Sequence, residues 1–238
     1  MLYIVGLGLN EKSISKQALL SLKKCEKIYL ENYTVDFPYS FEELEKNLDK
    51  KVIKIGREGV EDNHLVSEAK KQNVALLIYG SPLTATTHIS LIQEAKKQKI
   101  EYEIIYNGSI FDAIAETGLE IYKFGKVTSI PKWTKSFKPT SFMEVVKQNQ
   151  SIDAHSLILI DIGLELEDML NELKEASKEY KIKIEKIALC SSLGTKKSKI
   201  LFGEMNKFEG LKINKPYCLI IPSKMHFIEK EVLESFAI

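Results

Sequence analysis

The chain has 238 residues, with 34 Lys and Arg against 33 Asp and Glu, a net charge of +1, and 44% hydrophobic residues. That length holds one large domain or two small ones, and the apolar fraction is enough for a core. The charge balance argues against a dedicated nucleic-acid binder, which carries a basic surplus, and no apolar run approaches the ~18 residues that cross a membrane. The opening Met1-Leu2-Tyr3-Ile4-Val5 lacks the basic start and cleavage site of a secretory signal. Cys25, Cys190 and Cys218 are widely spaced and odd in number, which fits buried thiols in a reducing compartment better than a disulfide framework or a zinc site. A cytoplasmic protein is expected.

Taken in chain order, short apolar runs alternate with amphipathic stretches. Strands are expected at 2–6, 27–30, 51–55, 74–79 and 102–106, and helices at 15–25, 41–48, 66–72 and 89–98. Such alternation predicts crossover units and a mostly parallel sheet. Residues 123–138 differ in texture: Lys123, Lys126, Lys132, Lys135 and Lys138 occur there without an acid. A joint between two α/β domains, 1–122 and 123–238, is placed there. Beyond it come a helix at 141–148, a strand at 156–162, a helix at 164–180 and strands at 186–190, 199–202 and 218–221. Fewer helices separate these strands, so a mixed sheet is expected.

Three glycine-containing turns each follow an apolar run: Gly6-Leu7-Gly8-Leu9, Gly80-Ser81-Pro82-Leu83-Thr84 and Asn107-Gly108-Ser109-Ile110. Each alone reads as an ordinary turn. Together, at strand carboxyl ends, they predict one crevice where a small ligand lies against the backbone. A dinucleotide fingerprint would need glycine at position 11, where Glu11 stands, and no phosphate loop occurs. Thr84 is the better ligand contact among the threonines; for Thr86 and Thr87, helix capping competes. His64, His88, His155 and His226 lack metal-ligand spacing, so no metal site is expected. His88 is read as a structural histidine, with a place facing the crevice as the alternative. No Ser/His/Asp set or nucleophile elbow is legible. Asp112 and Asp161 are candidate neighbours of the crevice for which structural roles are expected, so no catalytic side chain is named. The lysine-rich stretch is either a solvated joint or a docking strip for an acidic macromolecule.

Several blocks resemble the diphthine synthases, the diphthamide biosynthesis methyltransferases. They are Leu2 to Leu9, Lys24-Cys25, Tyr29-Leu30-Glu31, Tyr33-Thr34 and Ala85-Thr86-Thr87-His88. Further matches are Thr117-Gly118-Leu119, Tyr122-Lys123-Phe124-Gly125-Lys126, Pro139-Thr140-Ser141-Phe142, Ile221-Pro222 and Lys224-Met225-His226. The resemblance runs over nearly the full length. It implies a tetrapyrrole-methylase-like fold of two α/β domains with the cofactor in the interdomain cleft, and a homodimer. It implies S-adenosylmethionine as methyl donor and the amino group of a modified histidine on translation elongation factor 2 as acceptor. No nucleic acid or membrane partner is implied. Carried over by position, the implied cofactor contacts are Leu9, Ser81, Thr84, Ser109, Ile110, Ile160, Leu193 and Tyr217. Ser81 stands where the family carries aspartate, which implies cofactor binding weaker by about 1.5–3 kcal/mol. Two alternatives stay open: a tetrapyrrole methyltransferase of the same fold, and a non-enzymatic relative that no longer binds the cofactor. Against the first, Arg57 is the only arginine available for a multi-carboxylate substrate.

Overall fold

A computed structural model describes residues 1–62 and 64–238. The chain divides into two compact units, Met1–Asp112 and Ala113–Ile238. The joint placed at 122/123 from the sequence falls inside the second unit.

The first unit holds five strands: β1 (Leu2–Gly6), β2 (Lys27–Glu31), β3 (Ile53–Ile55), β4 (Val74–Ile78) and β5 (Tyr102–Ile105). They form one sheet in the order β3-β2-β4-β1-β5. Every pairing is parallel. All residues of β1 and β4 are buried, as central strands covered on both faces require. One face packs on α1 (Lys16–Leu22) and α2 (Phe41–Leu48) through Tyr3, Val5, Ala75 and Leu77. The other packs on α3 (Arg57–Glu61), α4 (His64–Ala69) and α5 (Ile89–Lys97) through Leu2, Ile4, Leu76 and Ile78. The period of two along each strand therefore feeds both layers. Local chemistry starts the helices: Ser15 Oγ accepts from Ala18 N–H, and Ser40 and Glu43 form a reciprocal capping box. A short helix, α6 (Ile110–Ala113), follows β5.

The second unit holds β6 (Thr128–Ile130), β7 (Ser156–Ile160), β8 (Ile187–Ser191), β9 (Lys199–Gly203) and β10 (Tyr217–Ile221) in the order β6-β7-β10-β8-β9. β6 and β7 are parallel and the other pairs antiparallel, which gives the mixed sheet. Helices α7 (Phe142–Ser151) and α8 (Leu166–Glu179) cover one face with Phe142, Met143, Val146, Met169, Leu170 and Leu173. Helix α9 (Phe227–Glu234) follows β10. Strand β6 lies within the lysine-rich stretch, and α3, α9 and β6 were not expected. The three cysteines are free and buried. Among the described residues no helix is long and apolar enough to cross a membrane.

A buried polar knot fastens α9. The Glu229 side chain is 1% exposed and His155 is 0% exposed. His155 Nδ1 accepts from Ser223 N–H at 2.9 Å, which leaves the proton on Nε2, 3.1 Å from Glu229 Oε1. Burial pushes this imidazole's pKa down, so it stays neutral. Glu120 N–H and His226 N–H donate to the Glu229 carboxylate at 3.0 and 2.6 Å, and Lys123 Nζ pairs with it. Burial alone would raise the carboxyl pKa, but Lys123 and these donors outweigh it and hold it at about 2. The Tyr-Lys-Phe-Gly and Lys-Met-His blocks thus meet at one carboxylate.

Glu229→Gln should cost ~3 kcal/mol at neutral pH, because it leaves a poorly solvated ammonium without its counter-charge. The folded-state pKa lies below the unfolded value of about 4.3, so this stability is present above that value and drains away as the pH falls toward 2. Urea unfolding at pH 7 and pH 3 should show the gap between wild type and variant narrowing at the lower pH. Equal stabilities at pH 7 would contradict the reading.

Candidate functional site

Strands β4, β1 and β5 are neighbours, run in one direction and end at one edge of their sheet. The three glycine turns leave from that edge. Gly8 and Gly80 have φ of +73° and +72°, the left-handed region that glycine adopts without steric cost. Gly8 N–H donates to Gly80 O at 3.1 Å and Gly80 N–H donates to Gly8 O at 3.0 Å. A Cβ on Gly6 would stand 2.7 Å from Gly80 O and 2.9 Å from Pro82 Cδ. Asn107 joins the third turn to the first: its Nδ2 donates to Gly6 O at 3.2 Å and Ser13 O at 3.0 Å. Its Oδ1 accepts from Gly108 N–H at 2.8 Å. Leu9, Ser81, Thr84, Ser109 and Ile110 all sit on these interlocked turns. Around Gly108 the space is open, with nothing within 4 Å of the place a Cβ would take. The main chain there is bare.

The detail around the turns assigns several polar groups. Ser109 N–H and Oγ–H both donate to Asp112 Oδ2, at 2.7 and 3.1 Å, and Ser109 Oγ accepts from Phe111 N–H at 3.2 Å, so Asp112 braces the residue that opens α6. Thr86 Oγ1 donates to Pro82 O at 3.2 Å, which braces the second turn. Neither Thr86 nor Thr87 caps α5; His88 occupies that position with no side-chain cap bond. His88 is 1% exposed and Glu31, the last residue of β2, is 0% exposed. His88 Nε2 lies 3.1 Å from Glu31 Oε2 and 3.4 Å from Tyr33 Oη, and Thr34 Oγ1 bonds Glu31 Oε1. That approach to Oε2 is not a hydrogen bond, and among the described residues both Oε2 and His88 Nδ1 lack a hydrogen-bond partner. Each orphan costs about 1–3 kcal/mol. His88 is therefore structural by location but only partly satisfied.

In the second unit, β7 and β8 both run antiparallel to β10. The carboxyl ends of β7 and β8 therefore lie beside the start of β10. Tyr217 pairs with Ser191, and its neighbour Cys218 pairs with Leu159, so Ile160, Leu193 and Tyr217 gather at one end of this sheet. Tyr217 Oη donates to Leu164 O at 2.9 Å. Ser192, at φ +49°, is held by Ser192 N–H to Pro216 O at 2.8 Å and its hydroxyl to Lys215 O at 3.1 Å. Asp161 accepts from Lys132 N–H and Ile162 N–H, which accounts for its carboxylate. Among the described residues no three His, Cys, Asp or Glu side chains gather as a metal site.

Sequence reasoning did not single out Asn107 as the cross-link or Glu31 as the partner of His88. The Asn-Gly pair signalled a turn and nothing about which carbonyls lay within reach.

The family described as Tetrapyrrole (Corrin/Porphyrin) Methylases matches residues 1–209. The diphthine synthase of Methanocaldococcus jannaschii is 36% identical, over 98% of this chain and 98% of its own. The chain belongs to the tetrapyrrole methylases and, within them, to the diphthine synthases. The diphthine methyl ester synthase of Bos taurus is 39% identical over 73% of this chain and 62% of its own. A crystal structure of a diphthine synthase superposes with a TM-score of 0.90 at 29% identity, covering 99% of this chain and 95% of that one. Membership makes this chain a methyltransferase. The tetrapyrrole alternative is disfavoured, because the diphthine synthase match runs over essentially the whole chain.

Asn107→Ala removes the side chain that ties the first and third turns together. It should lower stability by about 1–3 kcal/mol, the net worth of two or three hydrogen bonds. Thermal unfolding measures this; an unchanged Tm would show that the turns do not depend on the cross-link.

Proposed function

We propose that this chain transfers methyl groups from S-adenosylmethionine to the amino group of a modified histidine on translation elongation factor 2, in the cytoplasm. The observation that carries the cofactor part is the interlocking of three glycine turns at one sheet edge. The residues there fit such a ligand: bare main chain at Gly108, small side chains at Ser81, Thr84 and Ser109, and an apolar contact at Leu9. Leu9, Ser81, Thr84, Ser109 and Ile110 are the proposed contacts of the first unit; Ile160, Leu193 and Tyr217 are those of the second. When bound, the cofactor supplies a methyl group already activated on a sulfonium. The chain's own residues then have to exclude water, keep the acceptor amine unprotonated and align it. For well-aligned reactants, orientation contributes up to about 7–11 kcal/mol. Asp112 and Asp161 are engaged in hydrogen bonds and are not assigned as bases.

A homodimer is part of the proposal. Ile121, Tyr122, Phe227 and Ile228 are exposed large apolar side chains. They lie on segments that the Lys123–Glu229 pair ties together, which supports a face covered by a second copy.

Isothermal titration with S-adenosylmethionine, followed by incubation of labelled cofactor with elongation factor 2 carrying the unmethylated precursor, tests the reading. Binding and label on the factor are expected. No heat at high micromolar cofactor would favour the non-enzymatic relative, and label entering only a porphyrin precursor would overturn the substrate.

The docking strip gives a separate expectation. Lys132 Nζ donates to Gly163 O at 3.2 Å, and Lys138 lies 3.9 Å from Glu175 and over the Trp133 ring. Lys135 is exposed. Neutralising Lys132, Lys135 and Lys138 should raise KM for the protein substrate and flatten its salt dependence, with cofactor affinity unchanged. Unaltered kinetics at low salt would remove the strip from the proposal.

A further inference from the structure

The first glycine turn is pinned at almost every main-chain polar group. Leu7 N–H donates to Ile78 O at 2.8 Å, Gly8 exchanges both its groups with Gly80, and Asn10 N–H donates to Ser13 Oγ at 3.2 Å. Leu9 O accepts the Tyr79 hydroxyl at 3.0 Å. Among the N–H groups of Leu7, Gly8, Leu9 and Asn10, that of Leu9 has no partner among the described residues, and Leu9 is half-buried. A donor left unpaired inside a turn whose neighbouring N–H groups are fixed points at a ligand acceptor.

Tyr79 is the residue that completes the pinning. It follows β4 directly and precedes Gly80. Its ring sits edge-on to Phe37 with centroids 5.4 Å apart and lies 6.4 Å from Tyr39, inside an aromatic cluster that Phe41 completes. The Phe37 and Tyr39 rings thus restrict where its hydroxyl can go. We propose that Tyr79 is a positioning residue for the methyl donor: Gly80 fixes the peptide plane that carries the unpaired Leu9 N–H, and Tyr79, by holding the Leu9 carbonyl, fixes the plane that follows, so that Leu9 cannot turn and its N–H stays presented to a hydrogen-bond acceptor of the bound S-adenosyl ligand. Burial raises the Tyr79 phenol pKa well above its ordinary value, so the hydroxyl stays protonated and donates at any working pH. The inference rests on the cofactor reading above and adds a residue that touches neither substrate nor cofactor.

The cluster contains its own control. The Tyr39 hydroxyl is buried and has no hydrogen-bond partner among the described residues. Tyr79→Phe and Tyr39→Phe therefore each remove one hydroxyl from the same aromatic group, and only the first removes a bond to the turn.

The test is isothermal titration of wild type, Y79F and Y39F with S-adenosylmethionine and S-adenosylhomocysteine, with melting curves and steady-state kinetics alongside. Y79F should weaken both ligands about fivefold, equivalent to ~1 kcal/mol. Its KM for the donor should rise by the same factor while kcat holds. Y39F should bind like wild type. In 15N spectra of the ligand-bound proteins, the Leu9 amide should shift between wild type and Y79F and stay in place in Y39F. Equal affinity of Y79F and wild type would overturn the proposal, as would a loss shared equally by Y39F or one that falls on kcat rather than KM. Absence of binding by the wild type itself would instead overturn the cofactor reading.

Discussion

The two-way exchange between Gly8 and Gly80 is the constraint on which the candidate site depends. Beyond the ends of β1 and β4 the parallel ladder could simply splay apart. Instead the two chains make one antiparallel step, 3.1 and 3.0 Å across. That step requires a left-handed residue on each side, and both are glycine. It also brings the main chains so close that Gly6 has no room for a side chain. The third turn is then drawn in by Asn107, which spends both amide hydrogens on carbonyls of the first. A sheet edge that in another protein would be crowded with side chains is thereby left with exposed main chain at Gly108 and half-buried small polar residues at Ser81 and Thr84. In an open α/β sheet such an edge is where ligands bind.

Among the described residues two histidine–glutamate pairs are buried, and the contrast between them separates fold from site. Around His155 and Glu229 the polar atoms find partners, and the pair serves to fix α9 against the segment at Glu120–Lys123. Around His88 and Glu31 two atoms remain unpartnered although both side chains are sealed from solvent. The incomplete pair lies at the carboxyl end of β2 and at the foot of the turn that carries Ser81 and Thr84. Unsatisfied burial of this kind is tolerated where a structure serves something besides its own stability.

What the sequence disclosed follows from how each element is stabilised. The strands β1 and β4 were legible because burial on both faces forces an unbroken apolar run. Helix α2 was legible because Ser40 and Glu43 announce its start and Leu44 and Leu48 its inner face. Helix α9 carried no such stripe: its buried positions are Glu229 and Leu233, while Phe227 and Ile228 face outward. Its reason for being a helix there is an ion pair with a residue far away in sequence. Strand β6 has one buried residue, Ile130, among lysines, and α3 has one, Val60. At the site, the glycines showed that turns would form at the ends of apolar runs. They did not show that Asn107 would bridge two of them, or that His88 would meet Glu31, because those contacts exist only once the strand order β2-β4-β1-β5 is set.

Hydrogen–deuterium exchange with and without S-adenosylhomocysteine tests most directly whether this edge is the binding surface. Slower exchange is expected together in segments 6–10, 80–85 and 107–110, with the outer strand β3 unchanged. Ligand binding that leaves all three segments exchanging at their free rates would contradict the assignment.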